Sequence, residues 1–293
     1  MQNKEKKMAT FFNQASISYG GFVTNSNQAS GEVLDTLAVT KSAVSTGYGP
    51  SGGVVYAVSL LNSGTVPLSA ISVSDDLGAY DIGGVSVQPL DYVDGSVKLY
   101  VNGTPAAAPT VTAGPPLSFT GINLPAGASA LLLYEATANG FAPLEAGSSI
   151  SNSVTVNAEA PCVEGPIVAT ADLAVRSFTA LSIAKSVCPD TVSSCEEITY
   201  TFIIQNAGNE AVVATDGLVV SDSFSPILSN LAVSLNGTPL AEGTGYTYDE
   251  TTGLFTTEAG QITVPAATFT RDPATGIVTT TPGVAVLTVT GVI

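Results

Sequence analysis

Lysine, aspartate and asparagine recur in this chain at positions where, brought together, they could form a covalent bond without any cofactor. Outside the N-terminal run KEKK there are only three lysines: Lys41, Lys98 and Lys185. Lys41 lies in LAVTKSAV and Lys185 in LSIAKSVC, both with the alternation of half-buried strands. Residues two apart on a strand share a face. Leu37, Val39 and Lys41 are therefore in phase, as are Leu181, Ile183 and Lys185. Lys98 is out of phase with Val97, Leu99 and Val101, so it is expected to face water. Asp75 is in phase with Ile71, Val73 and Leu77, and Asp222 with Leu218, Val220 and Phe224. Asn152 aligns with Ile150, Val154 and Val156, and Asn13 with Phe11, Ala15, Ile17 and Tyr19.

An ammonium in a core is costly unless it is paired. A Lys–Asp ion pair with asparagine as a hydrogen-bonding bystander is one outcome. The other is an isopeptide bond. Burial lowers a lysine pKa, and the neutral amine is a nucleophile. Burial raises an aspartate pKa, and the protonated acid can polarise the asparagine carbonyl. Attack would expel ammonia and leave a neutral amide. This resembles the autocatalytic Lys–Asn crosslinks of Gram-positive pilin and adhesin domains. The expected pairs are Lys41 with Asn152 inside one domain, assisted by Asp75, and Lys185 with Asn13 of another copy, assisted by Asp222. Asp76 has the outward phase and is the weaker catalyst candidate. Such a reaction turns over once, so no enzyme is expected.

The elements that must position these residues form a repeat. VVYAVSLLNSG matches ITYTFIIQNAG, VSDDL matches VSDSF, and VNGTP matches LNGTP. Lys185 follows Lys41 by 144 residues and Asp222 follows Asp75 by 147. Abundant Val, Thr and Ser, with 29 Gly and 17 Pro, point to many short strands. The two NG pairs beside alternating runs are hairpin signals, and no segment has a helical apolar period. The fold class is all-β: two tandem immunoglobulin-like β-sandwich domains. Residues 1–32 are read as a donor strand and linker, 33–158 as domain 1, 159–178 as a linker and 179–293 as domain 2. The pattern Y-x-[VF]-x-[LI]-x-N-x-G followed by V-S-D resembles the bacterial surface-protein repeat called domain of unknown function eleven. That resemblance implies an immunoglobulin-like sandwich in an extracellular, often cell-wall, protein.

The repeat is out of frame with the chain. Domain 1 ends in SISNSVTVNA, whereas domain 2 has nothing corresponding after VAVLTVTGVI. The N-terminal FFNQASISY has the matching pattern, with Asn13 in the place of Asn152. The expectation is donor-strand complementation, in which Phe11–Tyr19 of one copy completes domain 2 of the next. Such a head-to-tail contact need not close and builds a homopolymer. A loose tail and a strand folded back on its own domain 1 remain the alternatives.

Composition narrows the partners. The formal net charge of −16, with 8 basic against 24 acidic residues, argues against nucleic acid. The absence of His removes His-based triads and metal ligands. Asp75 and Asp76 could suggest calcium, but no EF-hand spacing is present, and neither a metal nor a cofactor is expected. No membrane span and no signal-peptide core are seen. Cys188 and Cys195 bracket PDTVSS and are expected to form a local disulfide, with two free thiols as the alternative and Cys162 left over. The expected protein is a structural subunit of an extracellular fibre on a cell or spore surface, its host ligand unidentified. The alternative is a monomeric cell-wall adhesin or ligand-binding module.

Overall fold

Alternating runs become strands with one buried and one open face. In Gly53–Asn62, Val54, Tyr56, Val58 and Leu60 are buried, and in Ser129–Ala138, Ala130, Leu132, Tyr134 and Ala136 meet them. The structure is a computed structural model and describes residues 7–34, 36–159, 163 and 165–293. Cys162 lies outside the described residues. Among those described, no helix is long and apolar enough to cross a membrane.

Domain 1 is a sandwich of two antiparallel sheets. The first runs in the order Thr104–Ala106, Lys98–Val101, Ser129–Ala138, Gly53–Asn62, Leu37–Ala43, with Leu90–Tyr92 also pairing Ser129–Ala138. The second runs Thr110–Thr112, Leu117–Leu124, Leu68–Asp75, Ser149–Asn157, Ile167–Ala174. Leu37–Ala43, Leu68–Asp75 and Ser149–Asn157 carry Lys41, Asp75 and Asn152 and are called the lysine, aspartate and asparagine strands. Val154 pairs with Asp75 across the last two. Ile167–Ala174 lies in the stretch expected to be a linker. It pairs along the whole asparagine strand and buries Ala171 and Leu173 in the domain 1 core.

Domain 2 repeats the five-strand path of the first sheet, without a separate counterpart of Leu90–Tyr92: Thr238–Leu240, Ser229–Leu235, Gly283–Val292, Glu197–Asn206 and Leu181–Cys188. Its second sheet has only three strands, Tyr246–Asp249, Leu254–Thr257 and the short Ser221–Ser223 that carries Asp222. Ser221–Ser223 is an edge, and no described strand takes the places of Ser149–Asn157 and Ile167–Ala174. The two domains have separate cores. They touch where the Asn209 amide donates to the Leu144 and Arg176 carbonyls and the Arg271 guanidinium lies 4.6 Å from the Tyr80 ring centre.

The asparagine of each N-x-G motif ties its sandwich end together. Asn62 is fully buried; its amide donates to Val66 O (2.8 Å), Leu124 O (3.3 Å) and Pro125 O (3.0 Å), and its Oδ1 accepts from Gly64 N (3.0 Å). Asn206 does the same with Glu210 O, Pro265 O and Gly208 N. Asn62→Ala strands these partners away from water. It is expected to destabilise domain 1 by about 3 kcal/mol, read as a lower denaturant midpoint at unchanged m-value.

The N-terminal segment is a two-stranded ribbon. Lys7–Asn13 pairs with Ala29–Leu34, and Ser16–Tyr19 pairs with Phe22–Asn25 across the turn at Gly20 and Gly21. The single strand expected over Phe11–Tyr19 is interrupted at Gln14 and Ala15, where the Gln14 side chain donates to Ser26 O and Ala15 N donates to the Ser26 hydroxyl. Phe11, Asn13, Ala15, Ile17 and Tyr19 are all exposed, so the ribbon buries none of this row against the body of its own chain.

The expected Cys188–Cys195 disulfide is absent: both are free, exposed thiols. Cys188 ends Leu181–Cys188, whereas Cys195 N donates to Ile293 O beside Gly283–Val292. Glu197–Asn206 stands between those two strands, which holds the cysteines to opposite sides of it.

Candidate crosslinking sites

The inward phases of three strands converge in domain 1. Lys41 Nζ lies 2.8 Å from Asp75 Oδ2, and neither side chain is exposed to solvent. Asn152 is fully buried next to them. Burial lowers the Lys41 pKa from its ordinary 10.5, and the Asp75 charge only partly opposes this. The ammonium lies 4.8 Å from the centre of the Tyr56 ring, which stacks on Tyr134. Lys98 is exposed, as its phase requires.

Two groups at this site were not evident from strand phase. The Tyr134 hydroxyl donates to Asp75 Oδ2 and accepts from Asn152 Nδ2 at 3.5 Å, linking acid and amide. Burial pushes its own pKa well up, so it stays a donor. The second is the backbone N–H of Gly78, which donates to Asn152 Oδ1 at 3.1 Å and to Asp76 Oδ1 at 2.9 Å. A donor on that oxygen stabilises negative charge building there when the carbonyl is attacked. Gly78 has φ +72°, and a Cβ there would meet Ile150 Cγ2 at 2.5 Å, so glycine is required for this approach. Asp75 Oδ1 accepts from Leu77 N (2.8 Å), leaving Oδ2 for lysine and tyrosine.

Asp76, half-buried, is not idle. Its Oδ1 also accepts from Ser153 N at 2.9 Å, and its own N–H donates to Ser153 O, clamping the turn after the aspartate strand onto the asparagine strand. Its burial raises its pKa.

In domain 2 the same lysine and aspartate meet without an asparagine. Lys185 Nζ donates to Asp222 Oδ2 over a bed of aromatic rings, with Tyr200 at 4.6 Å, Phe224 at 5.3 Å and Phe202 at 5.4 Å. Their side chains are 40% and 20% exposed. The tyrosine of domain 1 has no counterpart: Tyr134 pairs with Tyr56, but Val289 pairs with Tyr200. Asn13, expected to react with Lys185, sits on the exposed N-terminal ribbon.

No protein-family model matches the chain, and neither does any curated protein. Among solved structures it is similar to the major pilin subunit BcpA (D312A) of Bacillus cereus, at 10% identity and TM-score 0.40, over 92% of this chain and 70% of that one. It is similar to the full-length major pilin SpaD of Corynebacterium diphtheriae at 12% identity and TM-score 0.36, over 76% and 49%. The pilus backbone RrgB of Streptococcus pneumoniae gives 11% identity and TM-score 0.33, over 84% and 55%. The chain thus spans about half the length of the SpaD and RrgB structures. At these identities and scores no residue role carries across.

Proposed function

We propose that the chain is the structural subunit of an extracellular bacterial fibre, in which the N-terminal segment of one copy completes domain 2 of the next. The observation that carries this is the difference between two equivalent sites. Lys41 and Asp75 are fully covered by the asparagine strand and its neighbour, whereas Lys185 and Asp222 lie beside an unpaired edge. An open edge and an exposed apolar ribbon each gain from covering the other. Because donor and acceptor are different surfaces of one chain, the contact is heterologous and propagates.

The domain 1 geometry supports a covalent step. The Lys41 ammonium passes a proton to Asp75, and the neutral amine attacks Asn152 Cγ. The new Nζ–Cγ bond forms, a second Nζ proton moves to Nδ2 as the Cγ–Nδ2 bond breaks, and the departing ammonia takes up the proton held by Asp75 and leaves as ammonium. Gly78 N–H holds the carbonyl oxygen throughout, and no oxidant or cofactor enters. Between copies, Lys185 and Asp222 take the same parts toward Asn13.

Assembly is tested on the purified full chain. The wild type is expected to form filaments by negative-stain microscopy and to sediment as polymer. Phe11→Asp, on the ribbon's inward phase, is expected to stay monomeric. A monomeric wild type would support the adhesin instead, and filaments formed equally by Phe11→Asp would reject strand donation.

A further inference from the structure

We infer that the piece passed between copies is the whole two-stranded ribbon, Lys7–Leu34, and that the junction between subunits repeats one already built inside each chain. This rests on the strand donation proposed above and specifies its unit.

Strand register carries the inference. In domain 1 the asparagine strand and Ile167–Ala174 form an antiparallel pair in which Asn152 faces Ala171 and Ile150 faces Leu173. In the ribbon, Asn13 faces Ala29 and Phe11 faces Gly31. The asparagine is on the first strand both times, with alanine opposite and the next apolar position two residues before it. At that position Ile150 and Leu173 share the space in domain 1, whereas in the ribbon the Phe11 ring alone fills it over Gly31, where a Cβ would lie 2.3 Å from Phe11 Cζ. Both pairs then run into a lysine strand, Ala174 leading to Leu181 and Leu34 to Leu37. The ribbon therefore stands before domain 1 as the Ser149–Ala174 pair stands before domain 2. That internal pair completes the sandwich preceding it in the chain, so the ribbon is fitted to complete domain 2 of the preceding copy.

The acceptor requires two strands. In domain 1 the strand lying alongside the lysine strand is Ile167–Ala174, more than the asparagine strand itself. There Leu37 is 3% exposed, whereas Leu181 is 44% and Ile183 56% exposed in domain 2. The open groove of about 170 Å³ at this place is lined by Leu181, Ile183, Ile204 and Val220. One donated strand would pair the edge at Ser221–Ser223 and leave the Lys185 strand uncovered. The second, Ala29–Leu34, covers it.

The test separates the two strands. Ala29 is exposed in the ribbon, but its counterpart Ala171 is 7% exposed in domain 1, whereas Asp172, the counterpart of Ser30, is exposed. Ala29→Arg is expected to raise the concentration needed for polymerisation by about 100-fold or more, because the guanidinium would be buried unpaired. Ser30→Arg is expected to polymerise as the wild type does. Loss of assembly in both variants, or in neither, overturns the two-strand unit. If Phe11→Asp blocks assembly while Ala29→Arg does not, single-strand donation stands and only the two-strand unit falls. If Phe11→Asp also assembles, strand donation itself fails.

Discussion

Polymer of the wild-type chain, boiled in SDS with reductant, is expected to run as a ladder of multimers, and Asn13→Ala polymer as monomer alone. In the proposed junction Asn13 supplies the carbon that the Lys185 amine attacks, so removing its side-chain carbonyl would leave the contact held by pairing and burial. Detergent and heat undo both. Lys185→Arg should give the same loss, because a guanidinium stays protonated and is no nucleophile. Filaments should still form from both variants, since the bond follows seating of the ribbon. Exposure would set its timing: the Lys185–Asp222 pair is 40% and 20% exposed, against none for Lys41–Asp75. A ladder surviving reductant in both variants would place the covalent linkage at another pair of residues.

The second large effect is expected within domain 1. The intact chain should weigh less than its sequence by one ammonia for the Lys41–Asn152 bond, and Asp75→Ala should restore the full mass. That variant loses twice. Its lysine is left buried without a partner, costing about 3–5 kcal/mol. It also loses a crosslink closing a loop of roughly a hundred residues, worth about 5 kcal/mol by the loop-entropy account of disulfides. A fall of about 15 °C or more in the domain 1 unfolding temperature follows. The double variant Lys41→Met with Asp75→Leu should also keep the full mass yet recover part of the stability, because burying two apolar side chains avoids the desolvated charge. An unchanged mass in the wild type would leave only the ion pair.

Asn152→Ala isolates the lysine. Its amine stays free, with a pKa held below the ordinary 10.5 by burial. Between the lowered folded value and 10.5 the unfolded chain binds the proton and the folded chain does not. Stability of this variant should therefore rise with pH through that window and fall as pH drops. With the amide formed there is no proton to bind, so the wild type should lack this slope.

Strand phase was enough to bring the three domain 1 residues to one face. Lys41, Asp75 and Asn152 could be paired across a hundred residues because a two-residue period leaves only one face for a core. Gly78 N–H and the Tyr134 hydroxyl were not legible in the same way. The first is a backbone group whose direction depends on a left-handed turn, and the second is one polar atom at the end of an otherwise apolar row. Ile167–Ala174 was hidden for another reason. Its sequence IVATADLA buries only small Ala171 and Leu173, so it reads as a connector until its partner strand is known. The cysteines misled because proximity in sequence was taken for proximity in space, while a strand stands between them.

Lys41 and Lys185 each stand on the first strand of a sandwich, Asn152 stands on a strand that closes domain 1, and Asn13 on one that would close domain 2 of another copy. With both amides in place, a pull along the filament would travel from Asn13 to Lys41, cross to Asn152, continue to Lys185 and pass into the next copy. Lys41 follows Asn13 by 28 residues, and Lys185 follows Asn152 by 33. Only these two short tethers would bear tension. The rest of each sandwich would hang beside the line of force like beads sewn to a cord, and stretching a filament should release at most the strands inside the tethers, such as Ala29–Leu34 and Ile167–Ala174.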